Sequence, residues 1–116
     1  MENKALVWKW VENYQHDFCD LSDRVWGTPE ICYTEYRSVA EHTAMLKTQG
    51  FRVTENVAGI PTAVMGEAGS GGPIIAFLGE YDALPGLSQA SGVAHYSPLP
   101  GNGHGHGCGH NLLGSG

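Results

Sequence analysis

Residues 101 to 111 read Gly-Asn-Gly-His-Gly-His-Gly-Cys-Gly-His-Asn, and this run limits the fold more than any other part of the chain. Five glycines alternate with other side chains, and glycine offers nothing to pack while losing the most backbone entropy on ordering. Such a segment makes a poor core and a good ligand-bearing loop. The side chains between the glycines include three imidazoles and one thiol, the donors that hold zinc and its neighbours in the transition series. The chain ends six residues after His110, so a site begun here is expected to be unfinished within it.

The 116 residues suffice for one modest domain that buries roughly 65 % of its unfolded surface. Hydrophobic residues are 41 % and charged residues 16 %, a globular composition and not a disordered one. Twelve acids face six bases for a net charge of −6, and Lys and Arg are nowhere clustered. That balance argues against nucleic acid or an anionic membrane as partner. The longest apolar run, Ile74 to Leu78, is far too short to span a bilayer, and the N-terminus lacks a signal-peptide core. Three irregularly spaced cysteines give no disulfide framework, so a reduced, cytoplasmic setting is expected.

Apolar residues at Val7, Trp10, Val11, Tyr14, Phe18, Leu21 and Val25 recur at steps of three and four, which predicts an amphipathic helix. Gly27 and Pro29 stop it. A second helix is expected from near Thr34, with Thr34 as cap, Glu35 in the first turn and Gly50 at the end. Its apolar face would be Tyr36, Val39, Ala40, Thr43 and Leu46, and the aromatic positions of both helices are expected in the core. From residue 51 the period changes. Short strands are expected at Phe51–Thr54 and Ile60–Met65, and a strand buried on both faces at Pro73–Leu78. Residues 83 to 107 read as a long loop, and Asn111 to Gly114 as the start of a helix. The glycine spacing fits neither the dinucleotide fingerprint nor a P-loop, which excludes a nucleotide-phosphate site.

Two constellations carry chemistry. In Cys108-Gly109-His110, one small residue separates a thiol from an imidazole, and both donors can be aimed at one ion or at two adjacent ones. Upstream, His104 and His106 taken alone read as loop histidines. The second constellation is Glu80-Tyr81-Asp82, directly after the expected buried strand, where open α/β sheets collect functional groups. These two carboxylates either orient a metal-bound histidine or bind metal directly; the bland reading has Asp82 capping a turn before Pro85 and Glu80 solvated.

Gly79-Glu80-Tyr81-Asp82-Ala83-Leu84-Pro85-Gly86-Leu87-Ser88-Gln89, with Gly105-His106-Gly107-Cys108-Gly109-His110-Asn111-Leu112-Leu113-Gly114, closely resembles the metal-dependent amidohydrolase and peptidase family of aminoacylases and carboxypeptidase G-like enzymes. Within that family it is most similar to an aminobenzoyl-glutamate-hydrolysing branch. Trp26-Gly27-Thr28-Pro29-Glu30, Glu35 and Gly50-Phe51-Arg52-Val53-Thr54 share that likeness, which covers nearly the whole chain. The resemblance implies the N-terminal part of a zinc-peptidase-like α/β catalytic domain, two helices followed by sheet strands, with two divalent ions, zinc or manganese. It implies an amide substrate of the N-acyl amino acid, aminobenzoyl-glutamate or dipeptide type.

By the same resemblance Cys108 and His110 fall on metal ligands of a related cysteine-using branch, and Asp82 on the acid that supports the metal site. Glu80 stands where many aminoacylases carry a metal-binding His, and His106 is a further candidate for the surroundings of the site. His104 is a local variation. The family's general-base Glu, its remaining ligands and its lid domain lie further along the chain than these residues. The complete protein is accordingly expected to be a homo- or hetero-oligomer, and the 116 residues alone to hydrolyse nothing. The alternatives are a truncated, inactive module with at most weak metal binding, or a stand-alone metal-binding protein that uses the Gly/His loop.

Overall fold

The computed structural model describes residues 2–116. Helix α1 spans Glu2–Trp26, α2 spans Tyr36–Thr48, strands β1 (Arg52–Glu55) and β2 (Val64–Glu67) form an antiparallel hairpin, and α3 spans His110–Ser115. The arrangement is mixed α/β. Helix α1 packs against both α2 and α3, and α2 packs on the hairpin.

Helix α1 ends where the sequence places its stop, with Gly27 donating to the Asp23 carbonyl. Its last two turns supply Leu21 and Val25, which with Ala83 are the buried apolar residues among those described. The first turns differ from expectation: Leu6, Val7, Trp8, Trp10 and Val11 are exposed, because no described element lies over them. Trp10 instead packs along its own helix, 4.7 Å from Tyr14 and 5.6 Å from Phe18 between ring centroids. Tyr36 is likewise exposed, so the expectation that the aromatic positions are core is corrected at both helices.

Helix α2 begins at Tyr36, with Glu35 and not the expected Thr34 at the cap position. Thr34 Oγ1 donates to the Ile31 carbonyl and leaves the helix N-terminus alone. The orphan donors there are taken by Glu30, whose carboxylate accepts from the backbone N–H of Arg37 and Ser38 and from Ser38 Oγ at 2.8 to 3.1 Å. Glu30 stands five residues before the cap position Glu35, outside the spacing of a local capping motif. The inward face of α2 is also more polar than expected, with Ser38, His42 and Thr43 buried. The end is as expected: Gly50 takes a left-handed φ of 81°, Gly50 N–H reaches the Lys47 carbonyl and Phe51 N–H the Leu46 carbonyl, a Schellman closure.

In the hairpin, Arg52 pairs with Glu67 and Glu55 with Val64. Strand β2 starts later than the expected Ile60 because residues 57–59 form a 3-10 turn. Gly66 lies where a Cβ would come within 2.8 Å of Leu46 and 3.2 Å of Phe51, so its bare Cα lets α2 settle on the sheet.

The strand expected at Pro73–Leu78 is not formed. Ile74, Phe77 and Leu78 are 90 %, 93 % and 96 % exposed. A strand is completed by the partner that takes its N–H and C=O groups, and among the described residues none runs beside this segment. Residues 83 to 107 are a loop without helix or strand, as expected, yet they fold back on themselves. Leu84 and Gly105 exchange both backbone hydrogen bonds at 3.0 Å, Ser88 N–H reaches Gly103, and Ala90 N–H reaches Ser97. Ala83 N–H meets the Glu30 carbonyl at 2.7 Å, which moors the near limb to the α1–α2 connection.

Candidate metal centre

Two segments converge at the start of α3. One is the extended stretch 79–82, and the other is the end of the Gly/His loop. Asn111 anchors α3 by donating from Nδ2 to Ser22 Oγ of α1 at 3.0 Å. The close approach of the two segments is a matter of glycines. A Cβ on Gly79 would sit 3.2 Å from Gly114 Cα, and one on Gly114 would sit 2.9 Å from the Glu80 carbonyl oxygen.

This crossing brings Glu80, Asp82 and His110 together, with one ligand atom from each lying within 4.8 Å of the others. Asp82 Oδ1 is 2.7 Å from His110 Nδ1, and Glu80 Oε2 is 3.2 Å from His110 Nε2. The His110 side chain is 15 % exposed, Asp82 22 % and Glu80 65 %, so the group opens to solvent on the Glu80 side. Donation from Nδ1–H to Asp82 fixes the tautomer and leaves the Nε2 lone pair facing the Glu80 carboxylate. Two acceptors at that separation need a positive centre between them, either a proton on Nε2 or a cation bound by both. An imidazole Nε2 beside one carboxylate, with a second carboxylate holding the ring at Nδ1, is a donor set that zinc and manganese accept, so these residues fit a divalent ion.

The other candidates lie close in sequence but outside this group. Cys108 is an exposed free thiol two residues before His110, and the intervening Gly109 turns the chain with φ 75°. His106 Nε2 is 3.2 Å from the Val25 carbonyl, to which it donates, and its Nδ1 is enclosed without a partner. Burial holds His106 below the usual histidine range, with the Val25 carbonyl and Asp82 working against that shift and His110 adding to it. Nδ1 of His104 is also enclosed and unpartnered, while its backbone N–H is held by Asn102 Oδ1. Both rings line a cavity of about 400 Å³ together with Trp26, Leu87 and Gln89.

Sequence reasoning passed over His42 and Tyr81. Their rings stack at 4.6 Å with an interplanar angle of 24°. The Tyr81 hydroxyl donates to the Thr62 carbonyl, and burial chiefly, with Glu35 adding, pushes its pKa up to about 12. A signal was available: Tyr81 stands between the two acids, and His42 falls at helical spacing on the inward face of α2.

The chain is 44 % identical over 105 residues to a p-aminobenzoyl-glutamate hydrolase subunit of Escherichia coli (strain K12), covering 90 % of this chain and 22 % of that protein. It is 34 % identical over 103 residues to Xaa-Arg dipeptidase of Mus musculus, covering 80 % of this chain and 20 % of that protein. No family model matches the chain. These similarities to an aminobenzoyl-glutamate hydrolase subunit and a dipeptidase are consistent with the amidohydrolase and peptidase resemblance of the chain's motifs. It spans about a fifth of the length of the two curated relatives. Among the described residues no helix is long and apolar enough to cross a membrane.

Proposed function

We propose that this chain is the N-terminal part of a metal-dependent amidohydrolase that cleaves an amide bond in N-acyl amino acid, aminobenzoyl-glutamate or dipeptide-type substrates. The observation that carries the proposal is the triad Glu80–His110–Asp82, in which one imidazole lies within hydrogen-bonding reach of a carboxylate at each nitrogen. Similarity to two hydrolases of amide-bonded substrates supports the reaction class. The domain reading follows from it: residues 1–116 belong to the zinc-peptidase-like catalytic part, with the lid elsewhere in a longer protein that assembles as a homo- or hetero-oligomer.

In this proposal His110 and Cys108 are ligands, Asp82 acts on His110, Glu80 adds a carboxylate on the Nε2 face, and His106 supports the loop. Divalent ions, zinc or manganese, supply Lewis acidity toward the scissile carbonyl and acidify a water toward neutrality. Asp82 accepts the Nδ1 proton of His110, which keeps Nε2 bare and makes it a stronger donor. His106 remains neutral because burial disfavours its charged form, so it adds no positive charge beside the ligands. Cys108 binds only as a thiolate, and three free, irregularly spaced cysteines support a reducing, cytoplasmic setting. None of the 116 residues is assigned as general base.

The test uses the full-length protein that contains this sequence, loaded with Mn²⁺ or Zn²⁺ and offered N-acyl amino acids, aminobenzoyl-glutamate and dipeptides. Metal-dependent release of a free amine, abolished by a chelator and restored by the ion, is the expected result. If every such amide stays intact while metal is bound, the chain is a metal-binding module without this activity.

A further inference from the structure

We propose that Tyr81, clamped by the ring of His42 and the carbonyl of Thr62, is the positioning residue that holds the Glu80 and Asp82 carboxylates on His110. The inference rests on reading Glu80, Asp82 and His110 as a cation site, and it concerns what keeps that site assembled.

The segment carrying the two acids belongs to neither strand of the hairpin and no described strand lies beside it. Its first fixed backbone point downstream is Ala83 N–H on the Glu30 carbonyl. Left at that, two short side chains on an unpaired stretch would lose their setting by rotation of the backbone between them. Tyr81 removes that freedom. It is the residue between the acids, and its side chain is committed to groups outside the triad: the stacked His42 ring at 4.6 Å and the Thr62 carbonyl.

His42 is itself rigidly held. It is 7 % exposed, and its Nδ1 donates to the Ser38 carbonyl one turn earlier in α2 at 2.8 Å. Its Nε2 lies against Gly114, where a Cβ would come within 3.0 Å of it. The ring thus provides a flat, fixed face for Tyr81 at the point where α2, α3 and the acidic segment meet. Ser38, whose carbonyl accepts the Nδ1 proton, is in turn bound by the Glu30 carboxylate at the head of α2. A chain of contacts therefore runs from Glu30 through Ser38, His42 and Tyr81 to the acids.

The experiment titrates Co²⁺ alone into the purified full-length protein that contains this sequence and into its variants, reading affinity by calorimetry, coordination by visible absorption and folding by far-ultraviolet circular dichroism. The parent protein binds Co²⁺, and His110→Ala binds at least one equivalent less. Tyr81→Leu, which fills the space but offers neither ring nor hydroxyl, weakens binding about tenfold and changes the absorption band at saturation, as loss of a supporting contact does elsewhere. His42→Phe, which keeps the stack, stays within about twofold of the parent and retains its band. Should Tyr81→Leu lose its helical signal, Tyr81→Phe decides the matter, with binding weakened about threefold at unchanged helicity. Parent-like affinity and spectrum in a folded Tyr81 variant overturn the positioning role and leave the cation site standing. No Co²⁺ bound by the parent full-length protein overturns both.

Discussion

Asp82 Oδ1 lies 2.7 Å from Nδ1 of His110, across 28 positions of sequence and between two different segments. The contact decides which imidazole nitrogen is free. Asp82→Ala should therefore weaken divalent-metal binding by about 10- to 100-fold, because His110 then loses both its tautomer control and its orientation. Calorimetric titration with Zn²⁺ checks this, and parent-like affinity in the variant would show that His110 needs no such support.

Glu30 caps α2 from outside the helix by accepting three donors, two of them backbone N–H groups. Glu30→Ala should destabilise the fold by about 2 kcal/mol, since it strands partly buried donors at the head of the helix. Glu30→Gln, which retains an acceptor, should lose less. Urea unfolding of the three proteins gives the ranking, and equal midpoints would remove Glu30 from this role.

Gly105 occupies a position where a Cβ would come within 2.0 Å of the Leu87 carbonyl oxygen, in the bridge that folds the long loop. Gly105→Ala forces backbone apart and should cost on the order of 2 kcal/mol. Gly103→Ala has open space instead, although its φ of 77° strains the backbone. The prediction is a larger loss of unfolding free energy at 105 than at 103, measured in urea.

Burial lowers the folded-state pKa of both His42 and His106 below the ordinary value of 6.5. The unfolded chain then binds protons that the folded chain refuses. This contribution is fully present above 6.5 and is lost progressively as pH falls through that value toward the lower folded-state pKa values. The thermal midpoint should be lower at about pH 5.5 than at about pH 7.5, and His42→Phe should reduce the difference. A midpoint that rises on acidification would contradict the burial of these rings as neutral groups.

Local signals in the chain were reliable where neighbours in sequence decide the outcome. The 3.6-residue period of α1, its stop at Gly27, the left-handed Gly50 closing α2 and the irregular 83–107 loop all depend on nearby residues, and all are in the structure. Non-local decisions were less legible. Ile74 to Leu78 has strand composition, but a strand needs a partner that the described residues do not place there. Trp10 and Tyr36 have core chemistry and remain uncovered for the same reason. Within the site, the acids at 80 and 82 and the imidazole at 110 stood out as residue types in motifs. The clamp formed by His42 and Tyr81 did not: the place of Tyr81 between the acids and of His42 on the inward face of α2 are local hints, but nothing in a single sequence pairs residues 39 positions apart.

The most direct test of the whole account is X-ray absorption at the zinc edge of the metal-loaded full-length protein, with Cys108→Ser as its comparison. The account predicts one sulfur neighbour at about 2.3 Å alongside imidazole and carboxylate shells, with the sulfur lost in the variant. A zinc shell of nitrogen and oxygen alone in the parent protein would contradict it.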